Sequence, residues 1–336
     1  MVLKKRPIYI LIFLSFSFIL TACTQKKVQN DGLTSDNVEA IKVQYGAVLL
    51  EENGKYNTLN FKDGKYENLK TSDIITNYNI ESGTYIFLRD NKHYIYHDGK
   101  EKEIKDKNYS FMKISKDGNY VSYMVYDDGY KLKVLSLKND KEIEINSDVA
   151  ISGEFYDFLG NDSIVYYGIS SDNVNGIFKF DLNAKKEELL YKLDSGYVEF
   201  LKSSDNGVLI LQKTGEDKNL LKKINIDNNI EDISDRFKNI KDIIEVSDNY
   251  YVLGTETENL PSLYRIDKED AKRLVYSFPK NINVDKGLSF GADKDILFIG
   301  SNDTDNNNNE DVFSYSDGSI SLVSNREGNY NFININ

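Results

Sequence analysis

The chain has no tryptophan, two histidines, three prolines and a single cysteine, Cys23. One thiol cannot close an intrachain disulfide, so whatever folds here must hold by packing. Both histidines, His93 and His97, come early, so no histidine base follows any serine beyond position 97. Positive charge is in deficit too: 42 Lys and Arg against 54 Asp and Glu leave a formal charge of −12. Such a chain repels phosphate backbones and anionic headgroups, which argues against nucleic acid as a partner. What remains is ample: 40% of residues are hydrophobic, with 24 Tyr and 17 Phe. That is enough for a sizeable core, and strand formers dominate it, so an all-β domain is expected.

Lys4, Lys5 and Arg6 precede an apolar run from Ile8 to Leu20, the form of an export signal. The run is too short to span a bilayer, which takes about 20 residues. It ends in Leu20-Thr21-Ala22-Cys23, which resembles the lipobox of bacterial lipoproteins. The resemblance implies acylation of the Cys23 thiol, cleavage between Ala22 and Cys23, and a further fatty acyl chain such as palmitate on the new amino terminus. An ordinary signal peptide that leaves Cys23 as a free thiol is the alternative. Removal of the basic leader would take the formal charge from −12 to −15. Two or more acyl chains hold stably where one does not, so the mature protein is expected on the extracytoplasmic face of the cell membrane. Residues 1–22 are then the signal, 23–39 the lipidated cysteine with a polar tether, and 40–336 the folded domain. Sixteen flexible residues reach about 22 Å.

Within 40–336, short apolar runs recur: "AVLL" from Ala47, "YIFL" from Tyr85, "VSYMVY" from Val121, "IVYYGI" from Ile164, "VLIL" from Val208, "YVLG" from Tyr251 and "ILFIG" from Ile296. Successive starts lie 36 to 45 residues apart, an internal repeat. The runs are continuous instead of alternating, as a strand covered on both faces requires. More polar strands follow, such as "KLKVLSL" from Lys131 and "LLKKINI" from Leu220. Hairpin signals recur as Asp-Gly in "FKDGK", "YHDGK" and "YSDGS". The unit is a four-stranded antiparallel meander of about 42 residues, and its repetition predicts a β-propeller of seven blades, with six or eight as alternatives. The terminal "NYNFININ" is a candidate strand to close the ring beside the first blade.

The best single copy, residues 114–143, begins "ISKDGNYVSY" and resembles the TolB-like propeller repeat at Ile114, Ser115, Asp117, Gly118, Val121 and Tyr123. Lys116 stands where that repeat usually has proline, and the α/β domain that precedes the propeller in TolB has no counterpart here, so no Tol-system role is implied. With no tryptophan, neither WD repeats nor quinoprotein-like blades fit.

Three constellations are candidates for chemistry. "GLSFG", 287–291, has the spacing of a nucleophile elbow around Ser289, but no histidine follows it, and Ser289 is expected on the first strand of the last blade. "HYIYH" places His93 and His97 on one face of a strand about 13 Å apart, too far for a shared metal, so both are expected at the surface or packed between blades. Asp303, Asp305 and Asp311 fall at alternate positions of an Asn/Asp-rich stretch, a candidate calcium loop. An EF-hand would need Gly and Glu where Asn308 and Ser314 stand, and a solvated hairpin explains the stretch as well. No other cofactor is called for, and no catalytic residue can be named. The preferred reading is a monomeric binding or scaffold module for a protein or cell-envelope glycan. The alternatives are a hydrolase or lyase acting on a polymer through carboxylates and tyrosines in the funnel, and an accessory or sensory subunit of a membrane complex.

Overall fold

The computed structural model describes residues 40–336 apart from 216–217, 248, 257–259, 268–269, 292 and 304–308. Residues 1–39, and with them Ala22, Cys23 and the tether, lie outside the described part. The described chain forms seven sheets of four or five strands. They are the seven blades of a β-propeller, as the repeat predicts, and no described helix is long and apolar enough to cross a membrane.

Each apolar run is the second strand of its blade, for example Tyr85–Arg89 in blade 2, Tyr120–Tyr126 in blade 3 and Ser163–Ile169 in blade 4. Alternate side chains of such a strand enter different cores. In blade 4, Ile164 and Tyr166 pack with blade 3, whereas Val165 and Tyr167 pack with blade 5. Both parities must therefore be apolar, which is why the runs do not alternate. The same division repeats around the ring, and Val48, Leu50, Leu297 and Ile299 form the core that joins blade 7 to blade 1. Full burial of one such side chain is worth about 1.5–3 kcal/mol, so the cores between blades supply most of the driving force.

The inner strands with which the meanders of blades 2 to 6 begin are Ile74–Tyr78, Tyr109–Ile114, Ala150–Leu159, Tyr197–Ser204 and Phe237–Val246. In blade 7 the inner edge is split into Asn281–Ile282 and Leu288–Phe290 around a 3-10 turn, Val284–Lys286. Blade 1 takes its inner strand from the other end of the chain: Asn329–Phe332 lies antiparallel on Val48–Glu52, with Asn331 opposite Leu49. This is the closing strand expected from "NYNFININ". The chain then continues into a pairing the sequence did not suggest, Asn334–Ile335 parallel to the inner strand of blade 2.

An antiparallel meander that begins at the axis gives the ring two distinct faces. The near face carries the blade-to-blade connections and the turns from second to third strand. The far face carries the turns from first to second and from third to fourth. The repeated Asp-Gly pairs lie on the far face, with Asp63 at φ 50° and Gly64 at φ 74°, Asp98 at 47° and Gly99 at 76°, and Asp317 at 49° and Gly318 at 79°. Two successive left-handed residues make the turn whose twist matches a hairpin, and glycine meets the second requirement without strain.

Candidate functional site

The inner strands bring polar side chains together in a chain of contacts around the axis. Asn77 of blade 2 donates to the Met112 carbonyl of blade 3 at 3.0 Å. Lys113 pairs with Asp157 of blade 4 at 3.1 Å. The Asp157 carboxylate also accepts from the Ser203 N–H and hydroxyl of blade 5, each at 2.9 Å. Lys202 donates to Asp242 of blade 6 at 2.6 Å, and Asp242 accepts from the Leu288 N–H of blade 7 at 2.9 Å. Lys286 of blade 7 donates to Asn329 and Asn331 of blade 1, both at 2.8 Å, and lies 3.8 Å from buried Glu310. The parallel pairing of Asn334–Ile335 with Asn77–Tyr78 completes the circuit.

These carboxylates are committed. Burial alone would raise the Asp157 carboxyl, but Lys113 and the two Ser203 donors outweigh it and hold it below the ordinary carboxylate value. A general acid for glycoside cleavage needs the opposite perturbation, a carboxyl kept protonated near neutrality. Each of Asp157 and Asp242 bonds to the blade on either side of its own and so acts as a joint between blades. Among the described residues no group of three or more His, Cys, Asp or Glu is arranged to hold a metal ion.

The far face is interlocked in a similar way. The Ser115–Asn119 turn is held by Ser115 donating to Asp117 at 2.7 Å and by the Tyr120 N–H donating to the Ser115 hydroxyl at 3.0 Å. Asn79 of blade 2 reaches across to the carbonyls of Ser115 and Lys116 at 3.1 and 2.8 Å, and Thr84 donates to the Gly118 carbonyl at 3.2 Å. Asn336 adds a bond to the Ile114 carbonyl at 2.6 Å. Lys116 meets Asp205 in the corresponding turn of blade 5 at 2.8 Å.

The near face is different. Tyr56, Tyr126, Tyr130, Tyr197, Tyr276 and Phe278 are all exposed and lie on or beside near-face loops, and exposed Phe111 lies in the near-face half of the inner strand of blade 3. Tyr45 is the one described aromatic exposed to this degree on the far face. Tyr126 and Tyr130 sit opposite each other at the end of a hairpin in blade 3, with ring centroids 5.5 Å apart and planes at 68°.

The sequence candidates are placed as follows. Ser289 is on the inner strand of blade 7 opposite Leu297, as expected. His93 and His97 are on the third strand of blade 2: His93 Nδ1 is 2.9 Å from the Tyr109 hydroxyl of blade 3, and His97 Nδ1 is 2.8 Å from the Thr84 hydroxyl of its own blade. Burial lowers the His93 pKa. Asp311 is buried at the start of a strand, its carboxylate accepting from Ser324 at 2.6 Å, while Asp303 follows the second strand of blade 7 and Asp305 lies outside the described residues. Cys23 and Ala22 lie outside them too.

The axial residues Lys113, Asp157, Lys202 and Asp242 escaped the sequence reading because turns of different length separate them from their apolar runs. The tyrosine pair left a fainter signal, two aromatics bracketing a turn in "YDDGY".

No family model and no curated protein sequence matches the chain. Among solved structures, an uncharacterised protein from Listeria monocytogenes superposes with a TM-score of 0.56 at 11% identity, covering 89% of this chain and 96% of that one. An oligogalacturonate lyase from Vibrio parahaemolyticus gives 0.52 at 12% identity, over 84% and 85%. TolB from Acinetobacter baumannii is also among the similar structures, at 0.45 and 10% identity over 84% and 80%. At such identities the likeness to the first two is one of fold, and the chain is a seven-bladed propeller of that general kind.

Proposed function

We propose that this protein is a binding module, tethered by lipid on Cys23 to the extracytoplasmic face of the cell membrane, whose near face holds a protein partner or an envelope glycan. One contrast carries the reading: the polar groups at the axis are paired with one another, whereas the near face presents aromatic side chains to solvent. Exposed aromatics grouped on one face mark interaction surfaces more often than scattered ones do. The fold itself does not choose between binding and catalysis, since propellers host unrelated activities.

The described chain enters the propeller on its far face: the Ile41 carbonyl accepts from Tyr78 at 3.2 Å and the Lys42 carbonyl from Asn60 at 3.0 Å, both toward the far ends of their strands.

The test is affinity purification of the tagged protein from lightly cross-linked cells, wild type beside Cys23→Ser. A near-stoichiometric partner that depends on Cys23 is the expected result. An empty capture from both forms, together with turnover of an oligosaccharide by the purified protein, would overturn the binding reading in favour of the polymer-acting enzyme.

A further inference from the structure

Resting on the reading of the near face as the binding surface, we infer that Tyr126 and Tyr130, with the acidic turn between them, form a recognition point for a cationic Lys- or Arg-bearing segment of a partner protein. The two tyrosines face each other across the last pair of the hairpin ladder. Cross-strand aromatic pairs normally gain by covering one another. Here the rings meet edge to face and remain 57% and 49% exposed, so a ring face is left for a third group.

The Tyr130 ring is also supported from below. A Cβ built on Gly153 would lie 3.6 Å from Tyr130 Cε2, so the Tyr130 ring stands on the inner strand of blade 4. That strand bulges there, with its register shifting between Ile151 and Tyr156, and the inner strand of blade 3 bulges between Ser110 and Lys113. Phe111, in the second bulge, has a φ of 55° and is 40% exposed, and its carbonyl accepts from the Tyr156 hydroxyl. A bulky residue held in the left-handed region is strained and needs its surroundings to keep it there. Among the described residues, the rim between blades 3 and 4 is where such strain, two bulges and exposed aromatics coincide.

Charge selects the occupant. Asp127 and Asp128 occupy the turn itself, and exposed Asp148, Glu154 and Asp172 stand on near-face segments of blade 4. Asp127 is paired with Lys131 at 3.0 Å. The chain as a whole carries −12. A tyrosine face attracts a cation, guanidinium more often than ammonium, and neighbouring carboxylates strengthen the preference while disfavouring anionic glycans and lipids.

The experiment titrates the full chain in detergent with a blocked Gly-Ser peptide carrying four arginines, beside the same peptide with citrulline, which keeps the shape and removes the charge. The arginine peptide is expected to bind at least ten-fold more tightly. Tyr126→Ala and Tyr130→Ala should each weaken it about five-fold without changing the unfolding midpoint, as loss of one cation–π contact implies. The far-face control Asp63→Asn should leave the affinity unchanged. Equal affinity for the two peptides would overturn the inference. So would tyrosine variants that bind like wild type, since attraction would then be diffuse, and so would tyrosine-dependent binding of a neutral oligosaccharide in place of the peptide. A Cys23-dependent partner recovered equally well by the tyrosine variants would sink this site while leaving the binding-module reading intact.

Discussion

The two faces of the propeller are made by the same seven repeats and both bond neighbouring blades together, yet they place their exposed aromatic groups differently. On the far face, turns from neighbouring blades are bonded into one another: Asn79 and Thr84 of blade 2 hold the turn of blade 3, and Asn336 ties in the end of the chain. On the near face, tyrosines such as Tyr126 and Tyr276 stand in solvent at 57% and 68% exposure. The difference teaches a division of labour. Polar contacts at the axis and on both faces keep the ring together, as Asn175 bonded to the Gly196 carbonyl and Asn219 to the Phe237 carbonyl do on the near face, and the near-face aromatics are left to meet something else.

Substitutions sharpen this contrast, the largest effect coming from the far face. Gly118 has φ 71°, and a Cβ there would lie 1.8 Å from the Ser82 hydroxyl. Gly118→Ala should therefore cost about 3 kcal/mol, combining left-handed strain with overpacking, seen as a lowered urea midpoint. If it left the midpoint unchanged, the interlocked far face would not be a source of stability.

Next comes the axis. Asp157→Asn keeps an acceptor for Ser203 but leaves the Lys113 ammonium without its partner, at an expected cost of about 2 kcal/mol at neutral pH. The sign with pH follows from the depressed carboxyl. Its contribution is complete above the ordinary value near 3.8 and disappears as pH falls below it. Wild type and variant should thus converge in acid, and a gap that persisted in acid would deny the ion pair its role. Lys286→Met removes two bonds to the closing strand, Asn329 and Asn331, and should cost about 1.5 kcal/mol. Hydrogen exchange should speed up first in residues 329–332.

The smallest effect on stability belongs to the near face. Tyr126→Ala should change the unfolding free energy by no more than about 0.5 kcal/mol, as for other exposed positions without buried partners. A loss of several kcal/mol would mean that this tyrosine is structural and that the two faces are alike.

Much of the architecture could be read in advance because it rests on local pattern. The seven second strands announce themselves as unbroken apolar runs, since each feeds two cores, as Ile164 and Val165 do in blade 4. The inner strands were less legible. Tyr109–Ile114 and Tyr197–Ser204 mix Lys, Glu and Ser with apolar residues because one side looks onto a polar axis, and bulges break their period of two. The split inner edge of blade 7 and the parallel pairing of Asn334–Ile335 had no local signature at all.

The all-β class, the repeat, a ring of six to eight blades and the hairpin turns were legible in the sequence alone, because strand pattern and left-handed Asp-Gly pairs are properties of a few adjacent residues; the count of seven came from the packed sheets. Only the tertiary structure decided which polar groups meet around the axis and which face is left open. Lys113 and Asp157, or Lys202 and Asp242, lie at different distances along the chain from the apolar runs that follow them, so no constant spacing marks them as partners. A tyrosine in a turn reads the same whether its neighbour blade covers it or leaves it to solvent, and that is settled only when the blades pack.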